Sequence, residues 1–188
     1  MAINKAYKFR IYPTASQVVL INKTVGCSRF VFNYFLALWS HTYKETGKGL
    51  SYGRCSAELT KLKQENLWLQ EPDKFSLQNA LRHLWDAYRR FFKKQNDAPQ
   101  FKSKKNPVQS YQTNYTNGNI AITGNRIQLP KLGLVKFAKS REVEGRILNA
   151  TVRRNPSGKY FVSVLAEVEV HPLPKTHREV GIDVGLKD

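Results

Sequence analysis

The spacing of the apolar residues changes twice along this chain, and those changes limit the folds open to it. Over residues 3–11, Tyr7, Phe9 and Ile11 alternate with Ala6, Lys8 and Arg10. A period of two marks a strand with one buried and one solvent face, the latter largely basic here. Pro13 ends the run, and Thr14 or Ser16 stands where a helix N-cap is wanted. From 16 to 46 the period lengthens. Val18, Ile21, Val25, Phe32, Leu36 and Trp39 recur at steps of three or four, with one step of seven, as on one face of a long helix. A second helix is predicted over 54–66 with Leu59 and Leu62 inward. A third runs from Asp73, read as its cap, to about Lys94, with Leu77, Leu81, Leu84, Tyr88 and Phe91 as its apolar stripe. After Pro99 the short period returns. Asn117-Gly118 and Gly124-Asn125 are turn signals, "ITGNRIQL" reads as a hairpin, and Ile147–Arg154 and Lys159–Val170 flank a second turn, "NPSG".

One strand, three helices and then five or so strands describe an α+β chain whose helical part interrupts its β part. The first strand is free to pair with the late ones. The β unit, a barrel or sheet, is therefore assigned residues 1–13 and 99–170, and the helical insertion residues 14–98. "HPLPKTHRE" reads as a linker over 171–178, and residues 179–188 as a further short strand carrying Asp183. Gly26 falls inside the long helix, where it costs about 1 kcal/mol relative to Ala; a close packing contact would explain it.

Charge narrows the function. Thirty-one Lys and Arg oppose 14 Asp and Glu, a net +17. A field of that sign attracts polyanions, nucleic acid first among them. Aromatic residues, 12% of the chain, argue against wholesale disorder. The four successive stretches 1–50, 51–100, 101–150 and 151–188 carry +6, +3, +7 and +1, so the basic surface comes from the first and third. No run of 18 apolar residues and no signal-peptide pattern occurs, and the expectation is a cytoplasmic protein with no membrane partner. Cys27 and Cys55 form no CxxC pair and read as small buried residues. The four histidines form no cluster with ligand spacing.

Candidate phosphate contacts follow from position. Arg29 and Asn33, four apart, share a helix face. Arg82, Arg89 and Lys93 line a face of the third helix, and the basic run continues into Lys102, Lys104 and Lys105. Lys8, Arg10 and Lys131 complete the cationic set. Tyr111 and Tyr115 are candidates for stacking on bases, against the plainer reading of half-buried strand tyrosines.

Five segments together resemble one family. "KAYKFRIYPTASQ", "GCSRFVFNYFL" with its Gly-x-x-Arg-x-x-x-Asn spacing, "APQFKSKK", "IQLPKLGLVKF" and "VGIDVGLKD" are similar, in order, to segments of the N-terminal half of the OrfB/TnpB proteins of insertion sequences. The resemblance implies an RNA-guided DNA endonuclease related to compact type V CRISPR effectors and associated with transposition. It implies a wedge-like β-barrel interrupted by a helical recognition lobe, guide RNA and target DNA as partners, and a RuvC-like nuclease domain beginning near residue 179. An older description of the family's opening helices as a helix-turn-helix finds no turn at the required place within residues 14–46.

In that family three carboxylates hold divalent metal, normally magnesium, and a four-cysteine zinc ribbon follows. Hard cations need several oxygen ligands, so one carboxylate does not make the site. Asp183 matches the first. Glu142, Glu144, Glu167 and Glu169 fall in the β unit and match none, and Asp188 is too near Asp183 in the chain to replace a ligand from another strand. A Gly-Ile-Asp-x-Gly strand end also opens the phosphate site of actin-like ATPases. The expectation is a chain that binds RNA or DNA without cleaving by itself. The alternatives are an endonuclease competent only when completed by further sequence or a partner, and a decay remnant without function. The oligomeric state is left open.

Overall fold

The computed structural model describes residues 1–170. The linker and strand expected at 171–178 and 179–188, with His171, His177, Asp183 and Asp188, lie outside the described residues.

The chain opens with strand β1 (Ala2–Tyr12), whose Tyr7, Phe9 and Ile11 are buried as their alternation requires. Helix α1 (Ala15–Thr46) follows. Thr14 caps it: its side chain accepts from the Gln17 amide, and Gln17 Oε1 accepts in return from the Thr14 amide at 3.0 Å. This reciprocal pair is a capping box. Gln17 does more, because its Nε2 donates to the carbonyls of Leu132 and Leu134, each at 3.0 Å, and so ties the helix start to a distant β-turn. Gly47, at φ +67°, ends the helix in the left-handed conformation that glycine adopts without strain. Helices α2 (Tyr52–Glu65) and α3 (Lys74–Phe92) complete the helical part.

Six strands come after: β2 (Gln109–Asn114), β3 (Ala121–Thr123), β4 (Arg126–Leu129), β5 (Gly133–Phe137), β6 (Arg146–Arg154) and β7 (Tyr160–Glu169). With β1 they form one antiparallel sheet in the order β2-β6-β7-β1-β5-β4-β3. The first strand thus lies at the centre of the sheet. It pairs with β7 from Ala2–Glu169 to Ile11–Tyr160, but with β5 only through Ile11 and Tyr12. The late strands close around the first, which is the pairing that the sequence permitted.

The sheet is rolled. Its end strands β2 and β3 are consecutive in the chain, joined by residues 115–120. Seven peptide steps reach at most about 25 Å, whereas seven flat strands would be about 29 Å wide. The concave side encloses one core, in which Tyr111 of β2, Ile127 of β4 and Val135 of β5 meet Phe9 and Val162. The roll is open: β2 and β3 are the ends of its hydrogen-bonded ladder. A second core fills the helical part, with Val31, Phe35, Leu59, Leu69, Leu77 and Leu84. Helix α1 serves both, giving Ile21 and Val25 to the first and Val31, Phe32, Phe35 and Leu36 to the second.

Helix α3 covers the free edge of β2, which would otherwise offer unpaired backbone groups. Asn79 Nδ2 donates to Gln112 O and to Asn114 Oδ1, both at 3.0 Å. Asp73 occupies the N-cap position expected for it, yet its side chain makes no capping bond. The buried carboxylate instead accepts from Thr113 Oγ1 at 2.6 Å. Two further expectations are corrected. Phe91, placed on the apolar stripe of α3, is partly exposed. Gly26 is not held by close packing, since an added Cβ would meet nothing within 4 Å. No helix among the described residues is long and apolar enough to cross a membrane.

Two substitutions check these contacts by urea unfolding. Thr113→Val leaves the buried Asp73 carboxylate without its donor and should cost about 1.5–3 kcal/mol. Gly26→Ala fills open space within a helix and should stabilise by up to about 1 kcal/mol; a loss would restore the close-contact explanation.

Candidate nucleic-acid interface

Arg29 and Asn33 project from the same face of α1, and the chain segment after α3 lies across them. Asn33 holds that segment at two points: its Nδ2 donates to Lys102 O at 2.9 Å and its Oδ1 accepts from the Lys102 amide at 2.8 Å. Arg29 Nη1 donates to Gln109 Oε1 at 3.1 Å. The other end of the Gln109 amide donates to Asn106 O at 2.7 Å and to Ser103 O at 3.3 Å. Loop 102–109 is therefore shaped by a chain of amides and anchored to α1. Lys102 stays exposed overall, but its ammonium lies 4.0 Å from the centre of the Phe32 ring. Lost hydration there pushes its pKa down.

Between helix and loop runs a cleft of about 260 Å³, lined by Ser28, Arg29, Lys102, Asn106, Gln109 and their neighbours. It contains two cations, several amides and hydroxyls, and no carboxylate. Such a lining suits an anion with several acceptor oxygens, as a phosphodiester has. It offers no nucleophile paired with a base and no acid–base couple. His83, on α3, hydrogen-bonds Gln112 Oε1 at 3.1 Å. Burial, with nearby Lys102 adding to it, pushes its pKa below the ordinary value, and so favours neutral imidazole.

The other candidates lie elsewhere. Lys8 is exposed on the convex side of β1, its ammonium 5.0 Å from the Phe161 ring. Arg10, two residues on, is half-buried, with its guanidinium over Tyr12 at 5.2 Å and its Nε without a partner. Lys104 is exposed in the anchored loop. Lys131 sits at the β4–β5 turn with φ +64°, beside Lys63 and Lys74 of the helical part. Arg82 is exposed on α3. Arg89 is exposed too, but it pairs with Asp86 at 2.9 Å and lines a different recess from Lys102. Arg29, Asn33 and Lys102 thus come together, while Arg89 and Lys93 at the end of α3 line a different recess. Tyr111 needs correction as a stacking residue: it is 6% exposed, within the sheet core, and burial pushes its hydroxyl pKa up. Tyr115 is partly exposed. Gln109, which organises the loop, was not foreseen; its only mark in the sequence is its place at the first position of β2.

Six lysines and arginines form ion pairs within 4 Å among the described residues. Most of the positive charge is therefore free to meet an external anion. Both cysteines are buried and free, and burial raises their pKa, which disfavours the reactive thiolate. Among the described residues no group of three or more His, Cys, Asp or Glu could hold a metal ion. The magnesium implied by the family resemblance finds no donor set there, and Asp183 lies outside.

Comparison with known proteins places the chain. Residues 1–48 match the family described as "Helix-turn-helix domain", of the OrfB type found in IS605 elements. A Streptomyces pristinaespiralis protein named "Putative RNA-guided DNA endonuclease" is 32% identical over 98% of this chain and 46% of its own length. An Escherichia coli K12 protein, "Putative RNA-guided DNA endonuclease InsQ", is 33% identical over 97% of this chain and 45% of its own. Over nearly its whole length the chain is thus similar to the N-terminal part of OrfB/TnpB-type proteins. It spans about half the length of the curated relatives it matches. Over the residues described as helix-turn-helix, the fold is one strand and one unbroken helix.

Asn33→Ala removes both bonds to Lys102 and should loosen the loop alone. Hydrogen exchange at the Lys102 amide should quicken roughly fivefold, equivalent to about 1 kcal/mol, while amides of Val31 and Phe35 stay as protected as before.

Proposed function

We propose that residues 1–170 are the nucleic-acid-holding part of an OrfB/TnpB-type RNA-guided DNA endonuclease, with guide RNA and target DNA as the partners. In this reading the rolled sheet is the wedge-like β-barrel and the three helices are the recognition lobe. The RuvC-like domain begins near residue 179, and Asp183 supplies its first carboxylate. Cleavage requires magnesium and further carboxylates beyond Asp183, so the 188-residue chain by itself binds RNA or DNA without cutting it. The relatives' names support the endonuclease assignment for the complete protein.

The observation that carries the binding role is the carboxylate-free cleft between α1 and the anchored loop. Its Arg29 and Lys102 are fixed by hydrogen bonds and ring contact before any ligand arrives. A preformed cationic site loses little side-chain entropy on binding. The free cations on loop and sheet would extend the contact along a phosphate backbone.

The test is equilibrium binding of a labelled structured RNA and of a DNA duplex over a range of salt concentrations. Affinity should fall steeply with salt, as for several phosphate contacts. Arg29→Gln and Lys104→Gln should each weaken binding across sequences and reduce the salt slope by about one. Binding that ignores salt, or no binding at all, would remove the proposal.

A further inference from the structure

The helical part contains a second recess, which shares no lining residue with the Arg29–Lys102 cleft. Trp39 and Tyr43 of α1 face Trp85, Tyr88 and Phe92 of α3 around a cavity of about 550 Å³, within the range of about 300–1,000 Å³ usual for small-ligand sites. Three of the ring pairs are close to parallel, while Trp39 and Phe92 are tilted by 46°. Trp39 lies 4.0 Å from Tyr88 at 27° and 5.2 Å from Tyr43 at 11°, and Tyr88 lies 6.2 Å from Phe92 at 19°. The stack is not sealed: Tyr43 is 49% exposed, Phe92 61% and Trp85 38%. Gly49 sets the pose of Trp39, because a Cβ there would stand 2.3 Å from the indole. Only glycine lets the loop after α1 close on that ring.

Two cations, Arg89 and Lys93, stand among the lining residues. Asp86 pairs with Arg89 at 2.9 Å, whereas Lys93 has no carboxylate partner among the described residues. Flat π faces beside a free ammonium suit a flat, anionic ligand. A second copy of this chain is a poor occupant, since each copy carries +17 and like charges would meet. We infer that this recess takes one unstacked nucleobase from a single-stranded stretch of nucleic acid, the base stacking on the exposed rings and its phosphate meeting Lys93 and Arg89. The inference rests on the nucleic-acid role proposed above and adds a base-reading contact to a surface otherwise suited to phosphate.

The experiment uses the whole chain carrying Trp68→Phe, so that Trp39 and Trp85 alone report by fluorescence. It compares a short single-stranded DNA with an abasic strand of the same length and charge. The base-bearing strand should quench the emission and bind about tenfold more tightly, the scale of one base stacked on an aromatic side chain. Trp85→Ala with Phe92→Ala, both at exposed rings, should abolish that tenfold preference and leave the salt slope unchanged. Trp85→Tyr should restore most of it. Salt-dependent binding of both strands with equal affinity and no quenching overturns the recess and leaves the general binding role standing. Failure of both strands to bind overturns both. Self-association without nucleic acid, lost on Trp85→Ala, assigns the recess to a second copy and overturns the inference too.

Discussion

The structure depends on one helix belonging to two cores. Helix α1 is 32 residues long, which is about 48 Å at the usual rise per residue. Its first turns insert Ile21 and Val25 into the rolled sheet, and its later turns give Val31, Phe35 and Leu36 to the helical part. A hinge within it would separate the two. Several contacts act against one. Gln17 ties the helix start to the β4–β5 turn, Asn79 ties α3 to the edge of β2, and the Thr113–Asp73 bond joins β2 to the start of α3. Each is a polar bond between elements far apart in sequence. The helical insertion is therefore fastened to the sheet at its start and, through Asp73 and α3, along one edge strand.

That fastening gives the Gly-x-x-Arg-x-x-x-Asn segment a physical task. Spacing alone suggested that Arg29 and Asn33 present themselves to phosphate. Asn33 is in fact committed to the Lys102 backbone, and Arg29 spends one donor on Gln109. The pair shapes the loop that carries Lys102, Lys104 and Lys105, and Arg29 keeps its remaining donors for the cleft. A long, flexible basic loop would lose considerable entropy on ordering against a ligand. Anchoring it in the free protein moves that cost into folding, so the cations are already gathered when a polyanion arrives.

The elements were legible wherever one face is buried and the other wet. Tyr7, Phe9 and Ile11 alternate because β1 is covered on one side, and the α1 and α3 stripes repeat because each helix packs on one face. What escaped the sequence was set by partners distant in the chain. Asp73 has the residue type and place of a helix cap, but Thr113 claims its carboxylate from 40 residues away. Tyr111 and Thr113 point to the same side of β2, one aromatic and one polar, so alternation did not show which side was inside; the roll of the sheet decides it. Arg89 and Lys93 at the end of α3 are near the loop lysines in sequence yet line a different recess, because the chain turns between Phe92 and Phe101. The aromatic recess left traces at three- and four-residue steps, Trp39 with Tyr43, Trp85 with Tyr88 and Tyr88 with Phe92, which core packing would also leave.

The helix-turn-helix description of residues 1–48 assigns α1 a role that its surroundings oppose. A recognition helix enters the major groove with one face free along several turns. On α1 one face is buried in the two cores, and the Arg29–Asn33 face lies under loop 102–109. Among the exposed positions, Lys23 pairs with Glu71 at 2.6 Å, Val19 and Phe30 are apolar, and His41 pairs with Glu45 at 3.2 Å. Asn22 and Lys44 are exposed without such a partner but lie 22 positions apart, too far to form one surface that reads base edges. Free charge lies instead on parts around the helix, among them the anchored loop, the convex side of β1, the tip of the β4–β5 turn and α3. A structure with a rigid internal beam and cations on the parts hung from it is suited to follow a phosphate backbone rather than to insert into a groove.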